Sequence, residues 1–252
     1  MTRVTFSAER NALNFSLPTA WPELTQDELA MVMRCRARND EPHQAKLAVL
    51  LHLTGMKIKY REDKAWVCTV PTGEKKPRKF NLDPELVPGL LDGLNWLDEP
   101  GGDPVRLDTL RGVAALPAKL HGVPFTTYLQ CENCYQGILQ SQKEEAVQHL
   151  GTLLYPGLKS KLDTAEQLMV IQWWAQVKTM FSTLFPNFFK PSNEGGGVPD
   201  MMEVMNNQIR ALTGGDVTKE DEILNIDTWR ALTELDAKAK EADEFNRKMK
   251  KK

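Results

Sequence analysis

The stretch Thr164–Phe185, "TAEQLMVIQWWAQVKTMFSTLF", decides the fold. Its apolar residues run from Leu168 through Trp173 and Trp174 to Phe181 and Phe185 and cover most of a helical circumference. A surface helix carries one apolar stripe, whereas a helix that is apolar nearly all round is covered on all sides. The stretch therefore predicts the central helix of a bundle. Asp163 would cap its first turn and Pro186 would stop it, since proline supplies no N–H and clashes with the preceding turn.

Helices are predicted on both sides of this spine. Upstream, one runs from about Pro124 to Gln140. Ser141-Gln142-Lys143-Glu144 has the form of a capping box for the next, which carries Val147, Leu150 and Leu154 on one face and closes at Pro156-Gly157. Downstream, "KPSNEGGGVP" (Lys190–Pro199) reads as a flexible break, because three consecutive glycines flanked by prolines form no regular element. Beyond it, Met202, Met205, Ile209 and Leu212 fall at helical spacing up to Gly214-Gly215. Thr218-Lys219-Glu220-Asp221 would cap a further turn. The last helix has Leu232, Leu235, Ala239, Ala242 and Met249 at heptad-like spacing.

The N-terminal third has a different period. Val4–Leu17 alternates apolar and polar residues around Glu9-Arg10-Asn11, which predicts a hairpin. Thr25-Gln26-Asp27-Glu28 is a capping box for a helix ending near Asn39-Asp40-Glu41-Pro42, and a second helix then runs to Gly55. Met56–Tyr60 and Ala65–Val70 form a second predicted hairpin, with a third strand at Arg78–Leu82. From Asp83 to Leu120 repeated Pro and Gly predict short helices and turns. The fold class expected is mainly α: a helical bundle with short β-hairpins in the N-terminal third and a tethered helical C-terminal arm. The expected division is a mixed region over 1–120, a helical core over 121–189, a linker over 190–199 and an arm over 200–252.

Bulk properties exclude several classes. At 41% hydrophobic and 26% charged residues the chain can bury a core and does not read as disordered. A net charge of −2 announces neither a nucleic-acid nor a membrane partner. No apolar run approaches the roughly 20 residues of a membrane helix, and the first 15 residues lack an apolar signal core. An intracellular protein without disulfides is expected, since four cysteines are too few for a disulfide scaffold.

"LQCENCY", Leu129–Tyr135, holds the closest cysteine pair. A structural zinc site wants a second such pair, and Cys35, Cys68, His121 and His149 do not form one. A redox pair wants its first cysteine at a helix N-terminus, whereas Cys131 falls about two turns inside a predicted helix. Packing in the core, on a face shared with Thr127 and Ile138 and turned toward Trp173 and Trp174, is the reading adopted. Metal binding and redox chemistry are the alternatives. The sequence contains no HExxH, no Gly-x-Ser-x-Gly and no phosphate-binding glycine loop. No catalytic, cofactor-binding or metal-binding residue is assigned, and a non-enzymatic role is expected.

Two sets of residues remain as candidate binding surfaces. Arg34, Arg36 and Arg38 end the first helix, and Lys57, Lys59 and Arg61 alternate along a strand, where alternate residues share a face. These six would serve a nucleic-acid-binding protein. The second set is Met202, Met205, Ile209, Leu212, Trp229, Leu232 and Leu235 in the C-terminal arm, which suit docking on a protein partner.

The segment "IRALTGGDVTKEDEILNIDTWRALTELDAKAKE" (Ile209–Glu241) resembles the C-terminal ends of tailed-phage and prophage tail assembly proteins. "TTYLQCENCYQGILQ", "LGTLLYPG" and "QWWAQVKTMFSTLFPNFF" fit the same resemblance, which covers the second half of the chain. It implies a protein of the tail assembly chaperone kind, which holds a tape-measure or tube component until the tail is built. It also implies a place in the host-cell cytoplasm or the virion. It transfers no site residue and no cofactor. A nucleic-acid-binding protein using the basic N-terminal clusters is the alternative.

Overall fold

A computed structural model describes residues 2–6, 13–62, 64–71, 75–141, 143–190 and 200–249, with side-chain surroundings from Phe15 onward. Helix takes 61% of the chain and strand 11%, so the fold is mainly α with a minor β component, as the apolar periodicities predict. The chain forms two compact units: residues 1–101 with 164–168, and residues 102–163 with 169–252.

In the first unit, β1 (Thr2–Phe6) pairs antiparallel with β2 (Leu13–Leu17) in the register Val4↔Phe15. The residues expected to join them, Glu9-Arg10-Asn11, lie outside the described residues. Helix α1 (Gln26–Arg38) opens on the expected capping box. The Glu28 N–H donates to Thr25 Oγ1, and the Glu28 carboxylate accepts from the Thr25 N–H at 2.8 Å. Helix α2 (Pro42–Thr54) stops at Gly55, whose φ of 66° is the left-handed region that glycine adopts without strain. A side chain there would also press on Pro71, because a Cβ would sit 2.9 Å from its Cγ.

Strands β3 (Lys57–Arg61), β4 (Trp66–Val70) and β5 (Arg78–Leu82) form one antiparallel sheet in that order. Cys68 and Leu82 on one face of the sheet join Met56 and Val87 in a buried cluster that Phe15, Leu47 and Leu51 help to cover. The Pro- and Gly-rich middle forms a 3-10 turn at Pro84–Leu86, the short helix α3 (Val87–Asp92) and a 3-10 turn at Asn95–Asp98. Trp21 is buried, packs edge-on against Trp96 and donates from Nε1 to the Glu99 carbonyl at 2.9 Å.

The second unit begins with the two-residue strands β6 (Thr109–Leu110) and β7 (Val113–Ala114). Its core is built on α4 (Phe125–Ser141), α5 (Glu144–Leu154) and α6 (Thr164–Leu184). The first turn of α6 belongs to the first unit and the remainder to the second. As predicted, α6 is the spine: Met169, Val170, Trp173, Trp174, Val177 and Phe181 are all fully buried. Ser141 does not cap α5. It is the last residue of α4, and its hydroxyl donates back to the Gly137 carbonyl at 2.8 Å, which removes it from capping duty. The C-terminal helices are α7 (Met201–Thr213), α8 (Glu220–Asn225) and α9 (Thr228–Met249). Asp216, rather than Thr218, caps the turn before α8: its carboxylate accepts from the Thr218 N–H at 3.1 Å. At 22 residues α9 exceeds the 21 of α6, so the spine is not the longer of the two.

Candidate protein-interaction site

The cysteine pair sits about two turns inside α4, and both thiols are buried. Burial pushes the Cys131 thiol well above its ordinary pKa, with Cys134 and Glu132 adding to the shift. Burial raises Cys134 to about 11. Tyr128, one turn earlier, is fully buried against Trp174 and Phe181 at ring separations of 5.8 and 5.9 Å. This is the packing face expected of "LQCENCY". Among the described residues, no three His, Cys, Asp or Glu side chains gather as metal ligands.

Between the two cysteines the same helix buries a carboxylate. Glu132 accepts from Lys178 Nζ at 2.7 Å, from Gln136 Nε2 at 2.8 Å and from Trp174 Nε1 at 3.3 Å. Three donors satisfy the charge in place of water, as burial requires. The group ties α4 to α6.

The basic strand residues Lys57, Lys59 and Arg61 do not share the one face expected of them. A bulge in β3 shifts the register between Ile58 and Tyr60, so that Lys57 opposes Thr69 while Arg61 opposes Trp66. One extra residue turns every later side chain to the other face of the sheet. Arg61 consequently lies over the Trp66 ring at 4.5 Å, on the face opposite Lys57. On α1, Arg34 and Arg38 are exposed, but Arg36 is half-buried and lies over Trp21 at 5.7 Å. Burial lowers the Arg36 pKa, and the nearby Asp98 charge opposes that shift. Arg36, Lys46 and Asp98 line a cavity of 470 Å³ in the first unit, in which Lys46 Nζ bonds Asp98 at 2.5 Å and Asn95 at 2.6 Å.

The C-terminal residues divide into two groups. Leu232 and Leu235 are buried, and Trp229 is half-buried. Trp229 stacks on His121 at 4.2 Å, meets Phe181 edge-on at 5.5 Å and donates from Nε1 to the Lys119 carbonyl at 2.6 Å. The start of α9 is fastened to residues 119–125 by a reciprocal backbone clasp. The Phe125 N–H donates to the Ile226 carbonyl at 2.9 Å, and the Thr228 N–H returns a 2.9 Å bond to the Val123 carbonyl. Asp227 accepts from the Gly122 N–H at 2.5 Å and caps α9 through the Trp229 N–H at 2.9 Å. The arm thus docks on its own chain, and three of the seven expected partner residues face inward.

The other four lie on α7, where Met205, Ile209 and Leu212 are half-buried and Met202 is 62% exposed. The distal half of α9 leaves Phe245 63% and Met249 57% exposed. Phe245 is absent from the expected set. Its signal was the spacing Ala242, Phe245, Met249, three and then four residues apart.

No family model, curated protein or solved structure matches the chain.

Proposed function

We infer that the chain is a non-enzymatic assembly protein of a tailed phage or prophage, working through protein contacts as a tail assembly chaperone does. The observation that supports this reading is the methionine-bearing face of α7. Met202 stands 62% exposed beside the half-buried Met205, Ile209 and Leu212. Methionine is unbranched and polarisable, so a face of this kind adapts to a partner's apolar surface. A chaperone that must hold and later release a tail component needs such a surface more than it needs a rigid pocket.

The test is a pull-down that uses as bait the purified tail tube and tape-measure proteins of the phage or prophage that this reading requires to encode the chain. Wild type is retained by one of them, and Met202→Glu together with Met205→Glu is not, while its helical circular dichroism is unchanged. Retention of wild type by neither bait ends the reading. Deleting residues 200–252 is the poorer experiment, because it also removes Leu232 and Leu235 from the core. Binding of labelled single-stranded DNA or RNA that weakens as salt rises would favour the nucleic-acid alternative.

A further inference from the structure

The distal half of α9 carries a seam that stands exposed among the described residues. Thr228, Ala231, Leu235, Lys238, Ala242, Phe245 and Met249 follow each other at spacings of three and four, the a and d positions of a heptad. Thr228, Ala231 and Leu235 are buried. After Lys238 the seam continues into solvent, with Ala242 exposed, Phe245 63% exposed and Met249 57% exposed. Toward its distal half, α9 meets the body through a different side. Asp236 accepts from the Asn187 and Phe188 N–H groups, and Asp243, seven residues on, pairs with Lys190. Phe245 lies about 200° round the helix from Asp243, so it points away from those contacts.

We propose that the distal half of α9 pairs antiparallel with the same segment of a second copy of this chain. The charge order selects the occupant and its direction. Glu241, Asp243 and Glu244 precede Phe245, and Arg247 and Lys248 follow it. A parallel, in-register pair would set acidic beside acidic and basic beside basic. The antiparallel pair sets each acidic block against the basic block of the other copy. With Ala242 at an a position and Phe245 at d, the layers are Ala242 against the second copy's Phe245, and the reverse. Each small residue makes room for a ring. Met249 then covers the aliphatic stem of Lys238, whose ammonium already bonds Glu234 at 3.4 Å. Glu241 and Lys248 flank the seam at equivalent g positions, which meet across an antiparallel coiled coil, so two Glu241–Lys248 pairs close it. Twelve helical residues span roughly 18 Å, so the contact is small and the association is concentration-dependent.

This inference is independent of what α7 binds. Sedimentation equilibrium of the purified full chain at low salt tests it. The wild-type mass rises from 28.5 kDa toward twice that value across the micromolar range. Glu241→Lys alone and Lys248→Glu alone stay at the monomer mass, because each places like charges across the seam. An equimolar mixture of these two variants, or both changes in one chain, restores the dimer. Phe245→Glu abolishes it. All three residues are exposed, so the helical content of each variant stays at the wild-type level. A wild-type mass that stays at 28.5 kDa overturns the proposal. Single charge variants that associate as well as wild type also overturn it, since the contact would then lie elsewhere. Either failure leaves capture of a tail component by α7 untouched, because the purified chain is tested alone.

Discussion

Cys131 and Cys134 are held as neutral thiols by their surroundings, and the thiolate is the reactive form. Native protein at neutral pH should therefore resist alkylation by iodoacetamide at these two positions and accept it in urea, read by mass spectrometry. Their folded pKa values are raised, so the stability they contribute is complete below the ordinary thiol value and is lost as pH rises through the folded one. For Cys134 that window runs from 9.0 to about 11. The urea midpoint of wild type should fall across it, and that of Cys134→Ala should fall less. Glu132 is the other decisive residue of α4. Glu132→Ala leaves Trp174 Nε1 and Lys178 without their acceptor, and should cost about 2–4 kcal/mol in urea unfolding. Glu132→Gln keeps the shape and an acceptor oxygen and should cost less. A stability loss as large for Gln as for Ala would mean that charge, rather than hydrogen bonding, sets the value of the site.

Among the elements, α5 and α9 depend on single residues. Gly151 is buried in α5, and a Cβ there would collide with Leu162. Gly151→Ala should thus destabilise by about 1–3 kcal/mol, although alanine is the better helix former. The docking of α9 rests partly on Asp236. Burial raises the pKa of its carboxyl, but the Asn187 side chain, the Phe188 and Asn187 N–H groups and the Lys190 charge outweigh burial and leave it below the ordinary 3.8. A carboxyl lowered on folding contributes stability above its unfolded value and loses it as pH falls through the folded one. Amide exchange at Asn187, Phe188 and along α9 should speed up below pH 3.8 in wild type, and Asp236→Ala should show the fast exchange at neutral pH. Unchanged exchange in the variant would show that the clasp at Asp227 and Thr228 suffices.

At the scale of the whole molecule, the C-terminal segment belongs to the core of the second unit. Ending the chain at residue 199 removes the fully buried Ala231 and Leu232 and uncovers Phe181 and Phe185, which Trp229 contacts edge-on. Such a chain should bind an apolar dye, lose a cooperative thermal transition and aggregate. Phe245→Glu, by contrast, should leave the melting temperature unchanged at concentrations where the wild type is monomeric, because the ring is then 63% exposed. A cooperative transition in the truncated chain would mean that α4 to α6 fold without α9.

What the amino-acid order determined alone is local or periodic. The spine helix, the capping box at Thr25 and Glu28, the helix stop at Gly55 and the inward face of "LQCENCY" all follow from spacings within a few residues. The caps at Ser141 and Thr218 did not follow. Ser141 had a carbonyl one turn behind it to bond, and Asp216 offered a better acceptor nearby. The tertiary structure decided three further matters. A bulge divided Lys57 and Arg61 between two faces, and one extra residue in a strand leaves no mark in an alternating pattern. The clasp between residues 119–125 and 226–229 joins segments about a hundred positions apart, through backbone groups that every sequence possesses. Burial sorted one seam into a core half, Ala231 and Leu235, and an open half, Phe245 and Met249. Spacing specifies which residues share a face. Only the packed chain specifies where that face runs out of neighbours.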